Sequence, residues 1–185
     1  EQNRERIIEV AARLFRERGF DGIGVADLMK SAGLTHGGFY GHFASKEDLM
    51  AQACARALEG SLDAMRQVAE RDGGNALPVI ASAYLCPAHR DRPGEGCVLA
   101  ALGAEAARHG SPLRAAFTQG VRSMVDMLTR LLTGKSKRAK RERALTIYAS
   151  MVGALVLARA VDDAELSEEV LQSVLASIAH TDSPS

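Results

Sequence analysis

Apolar residues in this chain recur three and four positions apart almost from end to end, and nowhere do they alternate as a half-buried strand requires. Ile7, Ile8, Ala11, Leu14 and Phe15 share one face of a helix predicted over about Asn3 to Arg18. Arg16 and Arg18 fall in its last turn, and Gly19 follows where a left-handed cap is expected. Val25, Leu28, Met29 and Ala32 mark a second, short helix that Gly33 ends, and a third short helix begins near Thr35. Ser45 then caps a longer helix. Asp48, three residues on, completes a box-like start, and Glu47 and Asp48 suit the positive end of the helix dipole.

The same period continues beyond the break at "RDGGNALP". It predicts helices over Ala76 to Leu85, Cys97 to His109, Ser111 (with Pro112 at N1) to Leu131, Arg141 to Val161, and Ser167 to His180. "CPAHRDRPGEG" reads as a loop from its Pro and Gly content. "GKSKRAKRER" reads as a solvated basic connector with a helix start. The fold class is therefore all-α, with about nine helices and no internal repeat.

Hydrophobic residues make up 46% and charged residues 25% of the 185, which places the chain among folded globular proteins. Its formal net charge is zero, so any nucleic-acid site must be local rather than a field of the whole molecule. Cys54, Cys86 and Cys97 are odd in number and widely spread, which suits a reducing cytoplasm better than a disulfide scaffold. No secretory signal is expected. The longest apolar run, Ala144 to Ala158, falls short of the ~20 residues that span a bilayer; it is expected to be a buried helix, with no membrane partner.

One stretch breaks the helical regularity. "LTHGGFYGHF", Leu34 to Phe43, sets three glycines among two phenylalanines, a tyrosine and two histidines. Glycine in a helix costs about 1 kcal/mol relative to alanine, so its crowding here needs a reason. Two short helices joined by a tight glycine turn, after a longer supporting helix, match a helix-turn-helix. Leu34 and Phe39 are spaced to pack the second helix onto the first. Thr35, His36, Gly37, Gly38 and Tyr40 then face outward, where missing side chains let backbone approach a duplex and leave N–H groups for phosphates.

On these residues the chain resembles the TetR family of transcriptional regulators. The resemblance rests on "AARLFRERGFDGIGVADLMKSAGLTHGGFYGHFASKEDL", whose Tyr40, Gly41, His42 and Phe43, followed by Lys46, stand where the family ends its recognition helix and starts the next. It implies an N-terminal three-helix helix-turn-helix domain over residues 1–50 and a helical effector-binding and dimerisation domain over 51–185. It also implies that Thr35 caps the recognition helix and reaches a phosphate. Tyr40, His42 and Lys46 would clamp the DNA backbone, His36 and Gly37 would face the bases with Gly38 beside them on the DNA-facing side, and Phe39 and Phe43 would be core. The chain departs from the family at Gly24, where a hydroxyl usually caps the second helix, and at Met29, where a small residue is usual. The second departure implies that the two helices pack slightly apart. Residues 1–50 carry seven Lys/Arg against eight Asp/Glu, so contact must come from positioned groups rather than bulk charge.

The remainder is expected to supply a partner surface and a ligand cavity. Tyr148, Met151, Val152 and Leu155, with Val170, Leu171, Val174, Leu175 and Ile178, form two apolar stripes. By the resemblance they join a second copy in a four-helix bundle. By the same analogy Tyr84, Leu85, Cys97, Val98, Leu102, Phe117, Met124 and Met127 line a cavity for an unidentified small effector. The implied function is a homodimeric regulator, most simply a repressor, that leaves a palindromic double-stranded operator when the effector binds. An alternative is thiol sensing at Cys97, resolved by Cys86, because His89, Arg90, Arg92 and a helix N-terminus would activate a thiol. Cys86, His89, Cys97 and His109 match no standard zinc spacing, so neither metal nor cofactor is expected. An enzyme would need a nucleophile, a base and an oxyanion site converging; no catalytic residue is expected. A helical interaction protein without DNA would leave the helix-turn-helix surface unused.

Overall fold

The computed structural model describes residues 1–134 and 136–181. Lys135 of the basic connector, and residues 182–185, lie outside the described residues. Nine α-helices and no strand are found among those described: α1 (Gln2–Arg18), α2 (Val25–Ser31), α3 (Lys46–Asp72), α4 (Ala76–Tyr84), α5 (Pro87–Asp91), α6 (Val98–Ala106), α7 (Ser111–Leu131), α8 (Lys137–Ala160) and α9 (Ala164–Thr181). The all-helical expectation holds. Three 3-10 turns, His36–Gly41, Gly73–Asn75 and Pro93–Glu95, complete the regular structure.

Local chemistry explains where the boundaries moved. The stretch expected as a loop at Cys86 to Gly96 carries α5 and a 3-10 turn, because Pro87 and Pro93 preset the first φ of each. α8 begins four residues early inside the basic connector, where the Ser136 Oγ accepts the Ala139 N–H at 3.1 Å. α9 begins three residues early because the Asp163 carboxylate accepts the N–H groups of Glu165 and Leu166 at 2.9 and 3.0 Å. α6 stops at Ala106, short of His109.

The chain divides into two compact units, Glu1–Gly60 with Pro93–Gly120, and Ser61–Arg92 with Val121–Ser185. The first holds the whole helix-turn-helix region. Its core runs from Ile7, Ala11 and Phe15 of α1 through Leu28, Met29 and Phe39 to Leu49 and Ala53 of α3, and takes in Val98, Leu102 and Phe117. Arg4 adds its guanidinium over the Phe43 ring, 5.5 Å from the centroid, and hydrogen-bonds Gln52, which pins the start of α1 to α3. At the other end of α1, the Arg16 Nε donates to the Gly94 carbonyl at 2.8 Å.

The second unit is built on α8 packed against α9, with α4 on α9 and α5 on α8. Ala144, Ile147, Tyr148, Met151, Ala154, Leu155 and Ala158 form the inward row of α8. The Ser167 hydroxyl, buried on α9, donates to the Ala158 carbonyl at 2.7 Å and accepts from Arg90 at 3.0 Å. Arg159 donates to the carbonyls of His89 and Arg90 at 2.8 and 3.0 Å, tying α8 to α5. α8 is long and apolar enough by composition to cross a membrane, with mean hydropathy 1.3 over its best window. Its inward row is packed within this unit.

Candidate nucleic-acid interface

The turn between the two short helices forms as the glycine at its centre dictates. Gly33 sits at φ 69°, in the left-handed region that costs glycine nothing. The Leu34 N–H donates back to the Met29 carbonyl at 2.9 Å and the Gly33 N–H to Lys30 at 3.0 Å. This is the hydrogen-bond pair of a Schellman cap, with half-buried Leu34 and buried Met29 as its hydrophobic contact. The chain therefore leaves α2 at a fixed angle, already turned into the next element.

That next element is a 3-10 helix, His36–Gly41, rather than the α-helical turn expected. Glycines at 37, 38 and 41 lower helix propensity along six residues too few to sustain an α-helix. Its ends are closed by backbone alone, Gly38 N–H to Thr35 carbonyl at 3.1 Å and His42 N–H to Phe39 carbonyl at 2.9 Å. Thr35 occupies the N-cap position, but its hydroxyl makes no capping bond, which corrects its expected role as a side-chain cap.

Burial sorts the segment into two faces. Phe39 and Phe43 lie in the core, their ring centroids 5.6 Å apart. Thr35, His36, Gly37, Gly38 and Gly41 are exposed, and Tyr40 is 70% exposed with its ring edge-on to Phe39. His42 is half-buried at the C-cap. Met29 is fully buried, and its methyl group lies 3.7 Å from where a Cβ on Gly38 would be.

Lys46 is placed differently. Its Nζ donates to the Phe20 carbonyl at 2.5 Å from a half-buried position, so its charge is engaged inside the chain. Ser45 and Asp48 form the expected start of α3: the Asp48 N–H donates to the Ser45 Oγ, and the Asp48 carboxylate accepts the Ala44 N–H, both at 3.1 Å.

The other expected site residues fall into the two units. Cys97, Val98, Leu102 and Phe117 are buried in the first; Val98, Leu102 and Phe117 belong to the core that supports the helix-turn-helix. Tyr84, Leu85, Met124 and Met127 are buried in the second. Of the residues expected to meet a second copy, Tyr148, Met151, Leu155, Leu171 and Ile178 are buried within the single chain. Val152, Val170, Val174 and Leu175 are partly exposed. Leu145, Val156 and Leu157 are exposed beside them on α8. The signal for the last two was present: a helix that is apolar all round needs cover on every side.

The thiol expectation also changes. Cys97 lies in the first unit, whereas Cys86, His89, Arg90 and Arg92 lie in the second. In the first unit Arg16 lies near both Cys54 and Cys97. Burial lowers the Arg16 pKa and pushes the Cys54 thiol up to about 12, Arg16 opposing the latter. Among the described residues no group of three or more His, Cys, Asp or Glu could hold a metal ion.

A helix-turn-helix whose inner face is locked and whose outer face is open defines a DNA-binding regulator. The chain belongs to the TetR family: residues 7–53 match the family described as "Bacterial regulatory proteins, tetR family", and residues 87–174 match "Transcriptional regulator LmrA/YxaF-like, C-terminal domain". The family is one of transcriptional regulators and not of enzymes. The chain is 26% identical to the transcriptional repressor NemR of Escherichia coli K12 over 92% of its own length and 91% of that protein. It is 26% identical to the regulator LmrA of Bacillus subtilis, over 84% and 85%. Its likeness to YerO of Bacillus subtilis, at 35% identity, spans only 37% of this chain and 24% of that protein. The fold matches reduced E. coli NemR with TM-score 0.83 at 22% identity, covering 97% and 96% of the two chains. A TetR regulator from Legionella pneumophila matches equally, TM-score 0.83 at 18% identity, over 97% and 96%.

Proposed function

We propose that this regulator acts in the cytoplasm as a homodimeric repressor, holding a palindromic operator and releasing it when a small-molecule effector binds the helical remainder. The observation that carries the reading is the two-faced turn His36–Gly41, anchored by Phe39 and Phe43 and open at Thr35, His36, Gly37, Gly38 and Tyr40. In this reading Tyr40, His42 and the Thr35 hydroxyl meet phosphates, while His36 supplies the side-chain contact to base edges. With no side chains at 37 and 38, discrimination leans on backbone approach and on DNA shape.

Dimerisation is supported by the exposed row Leu145, Val156 and Leu157 with Val152, and by the partly exposed Val170 and Val174 of α9. Several exposed apolar side chains on one helix call for a partner, and a two-fold partner gives two recognition turns for two half-sites. A gel shift with DNA flanking the gene itself tests the reading: a shift by the wild-type chain that Tyr40→Ala removes supports it, and no shift at physiological salt refutes it.

A second reading, thiol sensing at Cys97, rests on the likeness to the E. coli repressor NemR, whose solved structure is of a reduced form. If Cys97→Ser still releases operator DNA at the wild-type oxidant dose, this reading fails.

A further inference from the structure

The helix-turn-helix is bracketed by two residues that touch each other. Phe20 opens the connection from α1 to α2, directly after the Gly19 cap, and Lys46 opens α3 just after the recognition turn. The Lys46 Nζ donates to the Phe20 carbonyl at 2.5 Å. The other polar group of the same residue is held too: the Phe20 N–H donates to the Glu105 Oε2 of α6 at 2.9 Å. The Phe20 ring is fully buried, edge-on to Phe15 at 5.4 Å and to His109 at 5.2 Å. Gly19 makes room for this. It stands at φ 76°, and a Cβ there would lie 2.9 Å from the Glu105 Oε1, so the carboxylate occupies the space of the absent side chain.

We propose that Glu105 is a positioning residue for DNA reading: with Lys46 it fixes the backbone of Phe20, and through that bracket α6 sets the angle of the recognition turn. In this arrangement Lys46 acts as an internal brace. A half-buried carboxylate and ammonium spent on one residue's backbone are strong, charge-assisted bonds. They close the segment 20–46 at both of its ends, so a shift of α6 moves entry and exit of the helix-turn-helix together. The inference rests on the DNA-binding reading above and adds to it a route by which the first unit's own α6 governs affinity without touching DNA.

The test uses the full chain and a duplex that the wild type enriches from random DNA. Operator affinity, its dependence on salt, thermal stability and hydrogen exchange at the Phe20 amide are measured for Glu105→Ala, Glu105→Asp, Glu105→Gln, Lys46→Ala and the double Ala variant. Glu105→Ala and Lys46→Ala are expected to bind the duplex about 10-fold more weakly with an unchanged salt slope, because no phosphate contact is lost. Glu105→Gln keeps an acceptor for the Phe20 N–H and retains near wild-type affinity, whereas Glu105→Asp is too short and behaves as Ala. The Phe20 amide exchanges faster in the Ala and Asp variants only. The double variant is no worse than either single one, since both act on one element.

A Lys46→Ala slope reduced by about 0.9 marks a direct phosphate contact and overturns the brace. Wild-type affinity in Glu105→Ala despite a deprotected Phe20 amide overturns the positioning role. Should Glu105→Ala fail to fold, the Asp and Gln pair decides: equal affinities overturn the inference. If the wild type enriches no duplex, the DNA-binding reading itself fails, an outcome distinct from all of these.

Discussion

The recognition turn and the outer face of α8 both leave large side chains in water, yet they are built in opposite ways. On the turn, Tyr40 stands beside glycines and polar groups, so backbone and hydroxyl are what a partner would meet. On α8, Leu145, Val156 and Leu157 stand with Val152 and Gly153, and only Thr146 and Ser150 add hydroxyls to a face that is otherwise hydrocarbon. The first composition suits a hydrated, charged surface read through N–H groups and hydroxyls. The second suits another apolar helix. Exposure alone therefore says little; its chemistry names the class of partner.

Reversing the polarity of α8 is the most damaging way to probe this contrast. Leu157 is 56% exposed, so Leu157→Lys costs the isolated chain little. In a dimer it would bury an unpaired charge at a central position, and a loss of roughly 2–4 kcal/mol is the hot-spot scale. Sedimentation at micromolar concentration should show a monomer, and operator binding should collapse with it. A dimer that survives Leu157→Lys and Val156→Glu together would place the interface elsewhere.

On the other surface, Tyr40→Ala should weaken binding across all duplex sequences by roughly 10-fold, the scale of one charge-assisted hydrogen bond. Its thermal stability should stay within about 0.5 kcal/mol of wild type, as for other exposed positions. A change confined to some sequences would make Tyr40 a base reader instead.

The glycines give an effect of mixed sign. Gly37 and Gly41 have no positive φ, and a Cβ at either meets nothing within 4 Å. Nothing in the fold asks for glycine there. Replacing either by alanine should stabilise the chain by about 0.5–1 kcal/mol, while binding weakens if a duplex backbone fills that space. Stabilisation together with unchanged affinity would leave both glycines unexplained by DNA.

How legible was this in the sequence? Period and punctuation were enough for most of the helices, because Gly19, Gly33 and Ser45 each act within a few residues; the five-residue α5 was too short to show a period. Phe39 was legible as core from the same local spacing, and Phe43 through the resemblance to the TetR family. The engagement of Lys46 was not, because its partner Phe20 lies 26 positions back and the bond depends on packing. Glu105 was invisible to any local pattern: it serves a backbone N–H 85 positions away. Cys97 shows the same limit, since Arg16, which lies near it, stands 81 positions back in the chain. The apolar rows of α8 were legible as apolar, but which residues face inward is decided by how α9 packs.

The smallest effect separates the units by pH. His89, in the second unit, points its Nδ1 at the Tyr84 carbonyl 2.7 Å away, with its ring edge-on to the Tyr84 ring at 4.5 Å. Burial lowers its pKa below the ordinary value; the Tyr84 carbonyl opposes this, and nearby Arg159 adds to it. An unfolded imidazole protonates near about pH 6.5. Between that value and the lower folded one, the unfolded chain holds more protons, so stability rises with pH. The stability contributed by neutral His89 is thus present above the unfolded pKa and lost as pH falls through the folded one. His89→Asn, which can still donate to Tyr84, should flatten this part of the melting-temperature profile between pH 5 and pH 7.5. An unchanged profile would mean that another group sets the acid limit.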